Sequence, residues 1–187
     1  MYIKSENLQT LQSKKMITDA LLELMKTYPY KDITITQICQ KAQVVRQTFY
    51  RNFESKPDIL EFHLDNMFQK YLSDYMVSEI DIYQQLKSFF DYMKLHKDFL
   101  ILIEKNNLFF LLNKTITISI SRFSYVPKMM EGVKESKHNI YILGFIASTI
   151  SSILLLWIKS NFEESSVILA KLAKTFFLGL EEAVNSE

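Results

Sequence analysis

Three glycines, three prolines and one cysteine are all that 187 residues offer for tight turns and cross-links. A sheet of short strands needs a turn signal about every 8–12 residues. Gly132, Gly144 and Gly179, with Pro29, Pro57 and Pro127, are too few and too scattered to supply them, so the composition points to an all-α chain. A lone cysteine, Cys39, excludes an internal disulfide, and no charged-then-apolar leader opens the chain. Both features make a reducing cytoplasm the expected compartment. The three histidines, His63, His96 and His138, lack metal-ligand spacing, and no glycine-rich loop is present to cradle a phosphate. Cys39 reads as a small packing residue, and Glu163 and Glu164 as a loop and helix start. The expectation is therefore no enzyme, no catalytic residues, no metal and no cofactor.

What is abundant is apolar surface. Hydrophobic residues make up 48% and aromatics 13%, enough to fill a core and to exclude disorder. The net charge is only +1, but it is unevenly spread. Residues 1–60 carry nine Lys/Arg against six Asp/Glu, and the remainder carries thirteen against fifteen. The basic excess lies at the N-terminal end.

Within that basic end, three helices are expected. In "SKKMITDALLELMKTYP" the apolar residues Ile17, Ala20, Leu21, Leu24 and Tyr28 recur at helical spacing, with Pro29 as the stop. A second helix opens at Thr34, and Gln37 three residues on gives a capping-box spacing. Ile35, Ile38, Cys39 and Ala42 form its inner face. After a turn at Gln43 and Val44, a third helix buries Phe49 and Phe53, with Val44 at its start, and shows Arg46, Gln47, Tyr50 and Arg51 on its other side. Two short helices joined by a tight turn make a helix-turn-helix, and arginine and glutamine on the second suit base edges in a major groove.

The run "TITQICQKAQVVRQTFYRNFESKPDIL" resembles the DNA-binding signature of the TetR/AcrR family of bacterial transcriptional regulators. Thr34, Ile38, Ala42, Val44, Thr48, Phe49, Tyr50, Phe53 and Lys56 all stand at matching positions. The likeness covers about residues 10–65. Two positions depart from the pattern. Gln43 replaces a turn glycine, where positive φ costs any other residue strain, and Val45 replaces a serine that would cap the third helix.

Carried over residue by residue, the resemblance implies that Thr36, Arg46 and Gln47 face the major groove, with Val45 and Arg51 close by. It implies that Thr34, Thr48, Tyr50, Asn52 and Lys56 hold phosphates, and that amides at the helix start near Ser55 and Asp58 assist. It also implies two domains, a helix-turn-helix DNA-binding domain at residues 1–56 and a larger helical effector-binding and dimerisation domain at residues 57–187.

From residue 57 onward the chain reads as long helices. "KDFLILIEKNNLFFLLNK" is expected to be one helix. "TITISIS" alternates with period two but has no visible partner strand, so helix is expected there as well, and Pro127 and Gly132 bracket a short element. Phe89, Phe90, Tyr92, Met93, Phe99, Phe109, Phe110 and Phe123 are dense enough to fill a core or to line a cavity. In the TetR-like fold this region holds the ligand pocket. The expected effector is small and mostly apolar, with aromatic or cationic character allowed.

Residues 139–158 carry no charge and approach a bilayer-spanning length, but Ser148, Thr149, Ser151 and Ser152 interrupt them and the flanks show no clear basic asymmetry. On a helix, Gly144, Ser148 and Ser152 stack into a groove of small residues, flanked by Tyr141, Phe145 and Leu155. Leu143, Ala147, Ile150, Leu154 and Trp157 form a separate apolar stripe. The resemblance implies that the last two helices pair with a second copy, and helical spacing points to Gly144, Ser148, Ser152, Leu155, Leu169, Leu172, Phe176 and Leu180 as the contact, with packing of the small residues against helices of the same chain as the alternative. The expected partners are thus a double-stranded DNA operator, a second copy of the chain and a small-molecule effector, with no membrane. The expected activity is a homodimeric repressor released from a pseudo-palindromic operator by its effector. A ligand-insensitive DNA-binding dimer and a membrane-associated helical protein stay open as alternatives.

Overall fold

The computed structural model describes residues 8–75, 81–120 and 139–185, and these are helical, with no strand among them. Helix α1 spans Leu8–Met25, α2 Ile35–Lys41, α3 Arg46–Asn52 and α4 Lys56–Tyr75, with one 3-10 turn at Tyr30–Asp32. Then come α5 (Ile82–Leu95), α6 (Lys97–Lys105), α7 (Phe109–Ser119), α8 (Asn139–Lys159) and α9 (Ser166–Asn185). The stretch 115–119 is helical within α7, as expected. The short element between Pro127 and Gly132, along with His138, lies outside the described residues.

The chain divides into two compact units, Met1–Asp65 and Asn66–Glu187. The division falls nine residues beyond the boundary expected at residue 56. Its cause is packing: Ile59 and Leu60 are fully buried, and Phe62 meets Phe53 edge-on at 5.6 Å between ring centres. The first turns of α4 therefore belong to the helix-turn-helix core.

The first unit packs α1 against α2 and α3 around Ile17, Leu21, Ile38 and Phe49, none of which is accessible to solvent. Helix α1 ends at Met25, and Tyr28, expected on its inner face, is exposed beyond that end. The bends there, Thr27 N–H and Tyr28 N–H both to Leu24 O, turn Tyr28 off the buried face.

In the second unit α5 packs on α9, and α8 packs on α6, α7 and α9. The single helix expected at residues 97–114 is broken in two. Asn107 adopts φ 57°, and the Leu108 and Asn107 amides bond back to Ile103 O and Glu104 O. This left-handed close satisfies the last carbonyls of α6 and turns the chain into α7. Trp157 anchors the core: its ring meets Phe90 at 5.8 Å and Phe162 at 4.8 Å, both edge-on, and its Nε1–H donates to Glu164 O. Helix α8 is long and apolar enough to cross a membrane by length and composition. Its Ile146, Ala147, Ile150, Leu154 and Trp157 are nonetheless spent on the unit's own interior.

Candidate nucleic-acid interface

The segment that forms the helix-turn-helix is set up by local bonds. Thr34 caps α2 from an extended backbone, its Oγ1 accepting from Gln37 N–H at 3.2 Å while its own N–H donates to Gln37 Oε1 at 2.8 Å. This reciprocal box satisfies two amides that a helix start otherwise leaves unpaired. Thr34 and Thr36 are exposed.

The turn departs from an ordinary backbone where the resemblance implied that it would. Gln43 has φ 55°, and the Val44 and Gln43 amides return to Cys39 O and Gln40 O. A glutamine there bears the strain that a glycine avoids. Val45 then takes the capping backbone geometry, φ −79° and ψ 154°, without a side-chain bond to give. Cys39 is buried behind the turn, and burial pushes its thiol pKa up against the opposing pull of Arg46.

Helix α3 has two faces. Phe49 and Phe53 point inward, and Phe49 contacts Tyr50 edge-on at 5.3 Å. Arg46, Gln47, Tyr50 and Arg51 are exposed, at i, i+1, i+4 and i+5 along one side. Val45 is exposed at the start of that side. The structure therefore presents Thr36, Val45, Arg46, Gln47, Tyr50 and Arg51 to solvent. Thr48 is half-buried.

Two expected phosphate ligands are engaged elsewhere. Asn52 is half-buried and its amide donates to Thr48 O at 2.7 Å, so its donor closes the helix from which it hangs. Lys56 is half-buried, and its Nζ donates to Tyr30 O at 2.8 Å and to Ile33 O, with Lys31 O at 3.5 Å. The same ammonium sits 4.6 Å above the Tyr30 ring. Burial lowers the Lys56 pKa, opposed by the charge of Asp32, and burial together with Asp58 raises Tyr30 to about 12. An ammonium has three donors. Here they point to backbone carbonyls of the turn before α2. Sequence reading also missed Tyr30, because its partner lies 26 residues away. The start of α4 is held by Asp58, whose carboxylate accepts from the Glu54 and Ser55 amides at 3.0 and 2.8 Å.

In the second unit the expected pocket residues separate. Phe89, Phe90, Met93 and Phe99 are buried, with Phe89 and Phe90 in edge-on contact at 5.5 Å. Phe109 is half-buried. Phe110 is 61% exposed, since α7 turns it outward next to Leu111 and Leu112, which take the interior. It is corrected to a surface residue. Phe123 lies outside the described residues.

The expected dimer residues separate too. Ser148 and Ser152 are exposed, Gly144 and Leu155 half-buried, and a Cβ added at Gly144 would meet nothing within 4 Å. Leu172 and Phe176 are exposed on α9. Leu169 is buried in its own unit, so it fills the core and is unavailable to a partner. The Leu180 side chain lies outside the described residues.

Residues 17–61 match the profile of a family described as "Bacterial regulatory proteins, tetR family". Among curated relatives, the chain is 30% identical over 66 residues to the HTH-type dhaKLM operon transcriptional activator DhaS of Lactococcus lactis subsp. lactis (strain IL1403). That match covers 35% of this chain and 35% of the relative, so it spans about a third of either protein. A TetR transcriptional regulator from Streptococcus agalactiae 2603V superposes with TM-score 0.64 at 19% identity, covering 90% of this chain and 95% of that one. The fatty acid degradation regulator FadR from Bacillus halodurans gives TM-score 0.59 at 19% identity, covering 94% and 97%. At such identities the likeness to solved structures shows a shared fold.

Proposed function

Taking residues 17–61 as a helix-turn-helix of the tetR family of bacterial regulatory proteins, we propose that this chain is a homodimeric, sequence-specific DNA-binding transcriptional regulator acting in the cytoplasm. The observation that carries the proposal is the two-faced α3. Phe49 and Phe53 fix the helix from behind, and Arg46, Gln47, Tyr50 and Arg51 are exposed on the other side. Arginine and glutamine form paired hydrogen bonds with guanine and adenine edges, and tyrosine reaches phosphate oxygens.

Dimerisation is supported by a separate feature. On α8, Tyr141 (74% exposed), Phe145, Ser148, Ser152 and Leu156 (68% exposed) follow one another at helical spacing, and neighbouring α9 adds Ile168, Leu172 and Phe176. Large apolar side chains gathered on two adjacent helices mark an association surface. A second copy would cover this face and pair two recognition helices, which suits a pseudo-palindromic operator. The aromatic interior of the second unit supports a small, mostly apolar effector. Such a ligand releases the operator only if it binds the DNA-incompetent conformation more tightly, and the regulator then acts as a repressor. The same surface serves an activator equally well, which is the role in the name of the Lactococcus relative.

Sequencing DNA fragments selected by the purified protein tests the reading. Enrichment of a site with two related half-sites is expected, and sedimentation in detergent-free buffer should give twice the chain mass. Fragments without a shared sequence would overturn the proposal.

A further inference from the structure

The resemblance implies a phosphate contact for Lys56, yet its surroundings suit a different task. Its ammonium is drawn to three carbonyls of one short segment, those of Tyr30, Lys31 and Ile33, and lies over the Tyr30 ring. Carbonyl oxygens gathered around one point repel one another, and an ammonium placed among them offsets that repulsion with charge-assisted hydrogen bonds. The segment is the 3-10 turn between α1 and α2, and Ile33 is followed directly by Thr34, the cap of α2. The Ile33 amide also bonds to Tyr30 O, so the turn and its cation form one closed unit.

Resting on the DNA-binding reading, we infer that Lys56 is a positioning residue, which clamps the turn before α2 onto the first turn of α4 and thereby sets where Thr34 and Thr36 meet DNA. Removing the clamp frees the Ile33 carbonyl, and the extended backbone that Thr34 needs in order to cap Gln37 N–H is then held from one side only. Phe53 against Phe62 and the Asp58 cap keep α4 in place. The slack therefore falls on the start of α2.

The two roles predict different behaviour. A phosphate ligand tolerates Lys56→Arg, because a guanidinium binds phosphate at least as well as an ammonium. A compact three-carbonyl cradle does not accept a wide planar fork. Both Lys56→Met and Lys56→Arg should therefore lower operator affinity roughly tenfold or more, since hydrogen bonds to a charged group contribute more than neutral ones. The slope of log affinity against log salt should stay at its wild-type value in Lys56→Met. A lost phosphate contact would reduce that slope by about 0.9.

Amide hydrogen exchange without DNA supplies an independent readout. Gln37 and Ile38 should exchange faster in both variants, while amides in the middle of α4 stay protected. Wild-type affinity in Lys56→Arg, with the slope of Lys56→Met reduced by about 0.9, would overturn the inference, as would unchanged exchange at Gln37. Failure of the wild-type protein to select any DNA sequence would instead defeat the regulator reading, and the exchange result would still decide the role of Lys56.

Discussion

The two units of this chain obey different rules. In the first, apart from the Lys56 clamp, residues close in sequence settle the geometry: Thr34 with Gln37, Gln43 at the turn, Asp58 with the Glu54 and Ser55 amides. Its outward face on α3 carries Arg46, Gln47, Tyr50 and Arg51. In the second, the decisive contacts join distant residues. Tyr71 reaches Gln85 O, Tyr92 reaches Met67 O, Ser166 on α9 donates to Asp91 on α5, and Trp157 meets Phe90 edge-on. Its outward face is in part apolar. Local capping leaves a readable pattern, because the partners lie three or four residues apart. Packing leaves only an average requirement for volume and hydrophobicity.

The sharpest way to break that comparison is to strike the packed unit at its anchor. Trp157→Ala removes a fully enclosed indole and orphans Glu164 O, and should cost about 3–5 kcal/mol, read as a lower denaturation midpoint. A loss under 1 kcal/mol would mean that the cavity collapses freely and that packing there is not decisive.

Next in size is the polar face of α3. Arg46→Ala should cost about 1–3 kcal/mol of operator affinity and relax preference at one base pair of each half-site, with the denaturation midpoint nearly unchanged. Unaltered base preference in sites selected by the variant would remove Arg46 from direct readout.

Smaller gains should come from repairing the local rules that this chain breaks. Val45 already has the backbone of a cap, so Val45→Ser should add about 1 kcal/mol by accepting from the Gln47 amide, since the Thr48 amide already donates to Val45 O. Gln43→Gly should relieve left-handed strain, offset in part by unfolded-state entropy, for a net gain of about 0.5–1 kcal/mol. Thermal unfolding of the single and double variants measures both, and two losses would show that the turn is set by tertiary contacts.

The smallest effect belongs to His96 in the second unit. Its ring packs 4.7 Å from that of Tyr92, and burial lowers its pKa below the ordinary 6.5. The folded state thus favours the neutral ring. Stability is fully present above about pH 6.5 and is lost as pH falls through the lowered value, because the unfolded chain takes up the proton first. His96→Gln should flatten this part of the pH profile, as urea midpoints on either side of about pH 6 would show. A profile identical to wild type would assign the acid sensitivity to other groups.

The start of α2 at Thr34 and the two faces of α3 were legible in the chain, since each depends on residues within one or two helical turns, while the strain at Gln43 was legible only against the glycine of the family pattern. The all-helical class followed from scarce glycine and proline for a similar reason: turn chemistry is local. The sequence did not reveal that Lys56 serves Tyr30 and Ile33, that α4 lends its first turns to the helix-turn-helix core, or that Phe110 faces outward while Leu169 faces inward. A helical pattern identifies an apolar side chain without naming its cover, and an ammonium suits a phosphate and a carbonyl cluster equally well. Those choices were decided by which distant elements came to lie beside them, because only folding brings groups 26 residues apart within hydrogen-bonding reach.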